Sequence, residues 1–178
     1  MSSSDNTVLK AEHLEAISQR VGAQLGRSAD GTGLRIGIIL GDFNGGISTR
    51  LMHGALEALE AMGVANEDLT VAWVPGAFEV PLAAKAMAEA GQVDAVITLG
   101  AVIRGDTPHF DYVAGECARG ITKAQLRTGV PIIFGVLTVD TEEQALVRSL
   151  PDQSNKGYEA AQTAVWMARL LTEPGFAR

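Results

Sequence analysis

The sequence VDAVITLGAVIRGDTPHFDYVAGECARGITKAQLRTG, residues 93–129, contains an apolar run, a polar loop and a segment of helical character, in that order. The apolar run VDAVITLG (93–100) predicts a strand, and residues 111–129 predict a helix. The loop between them brings an arginine, an aspartate, a threonine and a histidine into the six residues from Arg104 to His109. This unit therefore predicts a strand-to-helix fold and a candidate site at the junction of the two elements.

The same order of strand and helix recurs on both sides of this unit. LRIGIIL (34–40) is short, branched and apolar nearly throughout, which is typical of a strand buried on both faces. The predicted strands are residues 34–40, 69–74, 93–100 and 130–139. The predicted helices are residues 11–26, 47–63, 111–129, 141–150 and 155–171, and residues 75–91 are predicted as a loop followed by a helix. Such alternation favours parallel strands with right-handed crossovers, so the expected fold is a three-layer α/β/α sandwich around a four-stranded parallel, flavodoxin-like sheet.

Composition limits the classes of function. The 178 residues are 47% apolar and 20% charged, which fits a globular domain over 31–178, with residues 1–30 as a partly flexible N-terminal extension. The formal net charge of −7 argues against a nucleic-acid surface, and no apolar run approaches the roughly 20 residues that cross a membrane. The N-terminal residues lack a signal-peptide pattern, and one cysteine allows no intrachain disulfide. We therefore expect a cytoplasmic protein.

Ligands of open α/β sheets bind beyond the carboxyl ends of the strands. In this chain those ends are residues 41–44, 74–79, 100–109 and the region near residue 138. No P-loop or dinucleotide-binding glycine pattern occurs there, which disfavours ATP and NAD. His13 and His53 have no partners at the spacing of metal ligands, so no metal site is predicted.

His109 has two interpretations. It can cap or pack at a helix start, or it can act as a general acid and base, because imidazole titrates near neutral pH. Gly105, Asp106 and Thr107 stand just before the helix, where free backbone N–H groups bind anions. A base beside such a cradle favours chemistry on a phosphorylated substrate, although the Asp106 carboxylate would repel phosphate unless it points away.

Other residues near the strand ends also have two interpretations each. Phe43 can cover the core or stack on a flat ring, and Glu79 can be a helix-start carboxylate or an acceptor for ligand hydroxyls. Arg148 and Lys156 are interpreted as solvated surface residues, unless they lie beside the anion-binding amides of residues 105–107. Cys117 is expected to be a small buried hydrophobe.

Taken together, several segments resemble the lumazine synthase family, with the motifs in the expected order from about residue 33 to 171. The segments are FN (43–44), VAWVPGAFEVPLAAK (71–85), ITLGAVIRGDTPHFDYV (97–113), PIIFG (131–135), TEEQALVR (141–148) and NKG (155–157). The resemblance implies condensation of 5-amino-6-(D-ribitylamino)uracil with 3,4-dihydroxy-2-butanone 4-phosphate. The product would be 6,7-dimethyl-8-ribityllumazine, formed in the penultimate step of riboflavin biosynthesis without a cofactor or a metal.

The resemblance also implies a role for each matching position. His109 matches the catalytic histidine. The residues implied to bind the pyrimidine and the ribityl chain are Phe43, Ala77, Phe78, Glu79, Ala101, Val102 and Ile103. Those implied to bind phosphate are Asp106, Thr107 and Arg148. Phe134 and Lys156 match residues that a neighbouring subunit contributes, so the implied site lies between subunits.

Three positions depart from the family pattern. Asp106 is acidic where many members are neutral, Glu159 replaces a common aspartate, and SLPDQS (149–154) lacks the usual Gly- and Lys-containing turn. The resemblance implies a homopentamer and leaves a shell of 60 subunits open, with riboflavin synthase as a further partner. Two other hypotheses remain at this point. They are a flavin-binding or compartment protein of the same fold without catalysis, and a flavodoxin-like redox domain.

Overall fold

The sheet contains four parallel strands in the computed structural model, which describes residues 9–176. The strands are β1 (Ile36–Gly41), β2 (Leu69–Val74), β3 (Ala95–Ile103) and β4 (Ile132–Val139), and their spatial order is β2-β1-β3-β4. β1 is buried throughout, as its apolar sequence predicts. The chain moves outward from β1 to β2 and then crosses back to β3, so the order of the strands reverses between β1 and β3.

Six α-helices connect and cover these strands within the described residues. They are α1 (Ala11–Ser18), α2 (Gly45–Ala61), α3 (Val80–Glu89), α4 (His109–Thr128), α5 (Glu142–Val147) and α6 (Lys156–Thr172), with a 3₁₀ turn at Asn66–Asp68. One core cluster lies between the sheet and α2 and α6, and a second lies between the sheet and α3 and α4. Helices on both faces of a parallel sheet confirm the predicted three-layer, flavodoxin-like α/β/α fold.

Two element boundaries at the candidate site differ from the sequence prediction. β3 continues to Ile103 and does not end at residue 100, because β4 pairs with it as far as Ile103 and Val139. α4 begins at His109 and not at residue 111, and Pro108 directly precedes it. The fixed φ of proline suits the start of a helix. The loop between the two elements is therefore only residues 104–108.

The predicted helix over residues 11–26 ends early. α1 stops at Ser18, and both Gly26 and Arg27 have a positive φ, of 89° and 63°. The segment that follows lies against α6, where the Arg169 Nε donates to the carbonyl oxygen of Asp30 at 2.6 Å. Residues 1–8 of the expected N-terminal extension lie outside the described residues.

Candidate functional site

The loop after β1 is tied to the neighbouring strands on both sides. The backbone amide of Phe43 donates to the carbonyl oxygen of Pro75 at 3.0 Å, next to β2. The Asn44 side chain Nδ2 donates to the carbonyl oxygen of Ala101 in β3 at 3.0 Å. With the backbone held in this way, the Phe43 side chain is 74% exposed and covers none of the core. An exposed ring at a strand end is free to stack on a flat ligand.

The loop after β2 brings Glu79 close to Phe43. A Cβ atom on Gly76 would lie 3.4 Å from Glu79 Oε2 and 3.7 Å from Phe43 Cβ, so the two side chains flank this glycine. Ala77 is buried, whereas Phe78 and Glu79 are exposed just before α3. The Glu79 side chain forms no capping hydrogen bond with α3. Its carboxylate therefore lies near the Cβ of Phe43 and keeps acceptor capacity for a ligand.

The last residues of β3 border a gap between β1 and β3. β1 pairs with β3 only as far as Leu99, whereas β3 continues to Ile103 along β4. The side chains of Ala101 and Val102 are buried, so these residues can reach a ligand in the gap mainly through their backbone. A gap where the strand order reverses is the usual ligand crevice of a doubly wound sheet.

His109 is the first residue of α4 and follows the carboxyl end of β3. We call the surface at the carboxyl ends of β1, β2 and β3, with Phe43, Glu79 and His109, the rim of the sheet. His109 is exposed, and so are Asp106 and Thr107 in the preceding loop. Over the described part of the chain, the side chains of these three residues form no hydrogen bond or ion pair, and the amides of residues 105–107 have no backbone acceptor. Free amides that precede a 20-residue helix can hold an oxyanion.

Three of the sequence-predicted residues lie elsewhere in the same chain. Phe134, Arg148 and Lys156 line a groove of about 690 Å³ along β4, between α4 and α6. Phe134 pairs with Thr98, five residues before the end of β3, which places it about 16 Å along the strand from the rim. Its ring is 43% exposed. The strand register therefore keeps the Phe134 ring away from Phe43, Glu79 and His109 within one chain, and none of these three residues lines the groove.

Each cation in this groove already has a partner within the chain. Lys156 Nζ lies 2.7 Å from both carboxylate oxygens of Glu159, and the Arg148 Nη1 donates to the carbonyl oxygen of Gln144 at 3.0 Å. Both cations are partly exposed, so their attraction to these partners is screened by water. A phosphorylated ligand could therefore recruit either cation.

Sequence reasoning assigned no side-chain role to Asn44, although it stands in the quoted FN motif. Its φ of 60° places it in the left-handed region, which asparagine tolerates better than most residues. That conformation directs Nδ2 to the carbonyl oxygen of Ala101 and leaves α2 without a side-chain cap. The signal was an asparagine in a glycine-rich loop after a strand.

Cys117 is fully buried in the core between the sheet and α4. Burial raises the pKa of its thiol to about 11, because a thiolate would lose its solvation. The thiol therefore stays protonated near neutral pH, which confirms the expected role as a small buried hydrophobe.

Residues 9–176 contain no group of three or more His, Cys, Asp or Glu side chains placed to hold a metal ion. No helix within that range combines the length and the apolar character that a membrane crossing requires.

Comparison with known protein families identifies one model that covers most of the chain. The model describes 6,7-dimethyl-8-ribityllumazine synthase and matches residues 33–172, from just before β1 to the end of α6. The match includes all four strands and every residue of the rim and of the β4 groove described above. The chain therefore belongs to the 6,7-dimethyl-8-ribityllumazine synthase family, whose members are transferases of riboflavin biosynthesis.

Proposed function

We propose that this protein condenses 5-amino-6-(D-ribitylamino)uracil with 3,4-dihydroxy-2-butanone 4-phosphate to give 6,7-dimethyl-8-ribityllumazine, phosphate and water. Family membership supports a reaction of riboflavin biosynthesis. The observation that carries the specific reaction is the rim of the sheet. An exposed ring, a carboxylate without a capping bond, a strand edge that is unpaired with β1 beyond Leu99 and an exposed imidazole follow the carboxyl ends of β1, β2 and β3.

The crevice between β1 and β3 suits the ribitylaminouracil. Phe43 stacks on the pyrimidine, and the backbone of residues 101–103 hydrogen-bonds the edge of that ring. Glu79 accepts hydrogen bonds from the ribityl hydroxyls, with Ala77 and Phe78 beside it. These roles agree with the exposure of Phe43 and with the buried side chains of Ala101 and Val102. They also agree with the absence of a capping hydrogen bond from the Glu79 side chain to α3.

The loop before α4 suits the phosphate of the second substrate. The amides around Asp106 and Thr107 bind its oxygens, with Arg148 as the cationic partner. In this proposal only the amide of Asp106 takes part, because its carboxylate would repel the phosphate. The reaction then proceeds through imine formation, phosphate elimination, ring closure and dehydration. Each step moves protons, and His109 exchanges them as general acid and base.

We further propose that the site forms between two copies of the chain. Phe134, Arg148 and Lys156 lie along β4, which is an edge strand of the sheet. A second copy can present its own β4 groove to the rim of the first, which unites the two groups of residues. A ring of such heterologous contacts closes into the homopentamer that the resemblance implies.

The proposed reaction is tested by incubating purified protein with both substrates and following lumazine absorbance or fluorescence. His109→Ala is expected to lower the condensation rate by about 100-fold, because general acid and base catalysis contributes roughly that much. His53→Ala is the matched control and is expected to keep the wild-type rate, since His53 is exposed on α2 away from the rim.

Measurement of kcat and of KM for each substrate distinguishes the role of His109 from that of Arg148. Arg148→Ala is expected to raise KM for the phosphorylated substrate by about tenfold, with a smaller effect on kcat, because it loses a charge-assisted contact with phosphate. Wild-type protein that forms no lumazine from both substrates would contradict the proposal. Stoichiometric flavin in such inactive protein would instead indicate a binding protein.

A further inference from the structure

One guanidinium holds the loop that leads from β3 to His109. Arg104 is the first residue after β3, and its backbone amide donates to the carbonyl oxygen of Val139 at 2.9 Å. Its Nε donates to Asp140 Oδ1 at 2.9 Å, and its Nη1 donates to Asp111 Oδ1 at 3.1 Å. The guanidinium carbon also lies 4.0 Å from the centroid of the Phe110 ring.

These contacts join three elements at one point. Asp140 directly follows β4, and its amide donates to the Gln144 side chain at 2.9 Å, which fixes it to α5. Phe110 and Asp111 belong to the first turn of α4 and directly follow His109. Arg104 thus connects the ends of β3 and β4 to the turn that carries the imidazole.

His109 has no comparable support of its own. In the described part of the chain its side chain forms no hydrogen bond or ion pair. The location of the imidazole therefore depends on where the backbone of this first helical turn lies. Arg104 holds that turn through Phe110 and Asp111.

Two simpler roles for Arg104 explain less. Its side chain is 42% exposed, and ion pairs of such exposure contribute little to global stability. As a phosphate ligand it would have to leave two carboxylates, Asp111 and Asp140, whose combined charge already exceeds its own. A fork that binds two carboxylates and stacks on a ring fits positioning better than either role.

We propose that Arg104 is a positioning residue for His109: it holds the first turn of α4 at the distance from the crevice that proton transfer requires. This inference rests on the proposed function. Arginine is needed because its planar fork reaches Asp140 and Asp111 in different directions, whereas a lysine ammonium acts as a single point charge. A misplacement of about 1 Å can cost as much as 100-fold in rate.

The test compares Arg104→Met, Arg104→Lys and the control Arg35→Met. Arg35 forms a similar forked pair with Asp94 at 47% exposure, but at the opposite, amino end of the sheet. Arg104→Met is expected to lower kcat about tenfold with KM for both substrates within about twofold of wild type. Arg104→Lys is expected to recover part of this loss, and Arg35→Met to leave kcat unchanged.

Asp140→Asn tests whether the effect passes through the ion pair. Alone it is expected to lower kcat about threefold, and in the Arg104→Met background it is expected to lower kcat no further, because the pair is already broken. Additive losses would overturn the inference. A rise in KM for the phosphorylated substrate with unchanged kcat in Arg104→Met would also overturn it, since that result indicates a phosphate ligand.

Amide hydrogen exchange over residues 105–113 supplies a readout that does not depend on activity. Exchange is expected to be faster in Arg104→Met than in wild type and unchanged in Arg35→Met. Unchanged exchange in Arg104→Met overturns the inference. If the wild type is active and Arg104→Met is equally active, this inference alone is overturned. If the wild type is inactive, the proposed function is overturned as well.

Discussion

Cys117 shows at the scale of one residue how burial sets chemistry. Its thiol lies in the core between the sheet and α4, whereas Glu79 and His109 of the rim are exposed. Because burial raises its pKa, the thiol stays protonated at physiological pH. The same burial makes the stability of the protein sensitive to alkaline pH.

The pH dependence of stability follows from the direction of this shift. The folded-state pKa of about 11 lies above the ordinary value of 9.0, so the folded protein binds the thiol proton more tightly than the unfolded chain. The contribution is fully present below pH 9 and is lost between pH 9 and pH 11. We expect wild type to lose about 1 kcal/mol relative to Cys117→Ala by pH 10.

Urea unfolding of both proteins at pH 8, 9 and 10 measures this difference. The cavity left by Cys117→Ala lowers stability equally at each pH, so only the change in the gap between the two proteins reports the thiol. A gap that stays constant from pH 8 to pH 10 would contradict the assignment.

At the scale of an element, the position of the N-terminal end of α6 depends on Asn155 and Gly157. The Asn155 Oδ1 accepts from the amide of Gly157 at 2.8 Å, and its Nδ2 donates to the carbonyl oxygens of Leu150 at 2.9 Å and Arg50 at 3.2 Å. Asn155 is buried, and a Cβ on Gly157 would lie 1.9 Å from the carbonyl oxygen of Leu51. α6 therefore meets α2 at backbone contact, next to Lys156 of the β4 groove.

Gly157→Ala is expected to destabilise the protein by about 2 kcal/mol or more, because the methyl group forces α6 away from α2. Gly115→Ala on α4 is the control. A Cβ there would meet only the mobile end of Arg119, at 3.1 Å from Nη2, so we expect unchanged or slightly higher stability. Urea unfolding of the two variants measures the difference, and equal stabilities would show that α6 does not need this close approach.

At the scale of the whole molecule, the candidate site is divided between two surfaces of one chain. The rim carries Phe43, Glu79 and His109, and the β4 groove carries Arg148 and Lys156. A monomer is therefore expected to be inactive, and each complete site is expected to need two neighbouring copies.

Mixing two impaired variants tests this division, with the phosphorylated substrate kept well below its KM so that the loss in Arg148→Ala is visible. Co-expressed His109→Ala and Arg148→Ala chains are expected to restore full activity to about one site in four, because random assembly gives that share of sites both intact groups. A mixture no more active than the average of the two separate variants would place both groups in one chain. The mass of the assembly in solution then separates a pentamer of about 94 kDa from a shell of 60 chains, each of 18.7 kDa.

The sequence by itself determined the fold class and the family. Apolar runs such as residues 34–40 are typical of strands that are buried on both faces in a parallel sheet, and the helical segments between them favour crossovers. The long motifs around residues 74–85 and 97–113 identified the family, which the family match confirmed. The residues at the strand ends also indicated the rim, since chain direction alone brings those ends together.

Only the tertiary structure decided the ends of the elements and the arrangement of the site. β3 extends to Ile103 because β4 supplies its hydrogen-bond partners, which no local pattern reveals. The separation of Phe134 from the rim follows from strand register, and the links of Asn44 to Ala101 and of Arg104 to Asp140 join residues far apart in the chain. Local sequence sets backbone preference and burial, whereas contacts between distant residues exist only once the sheet has brought them together.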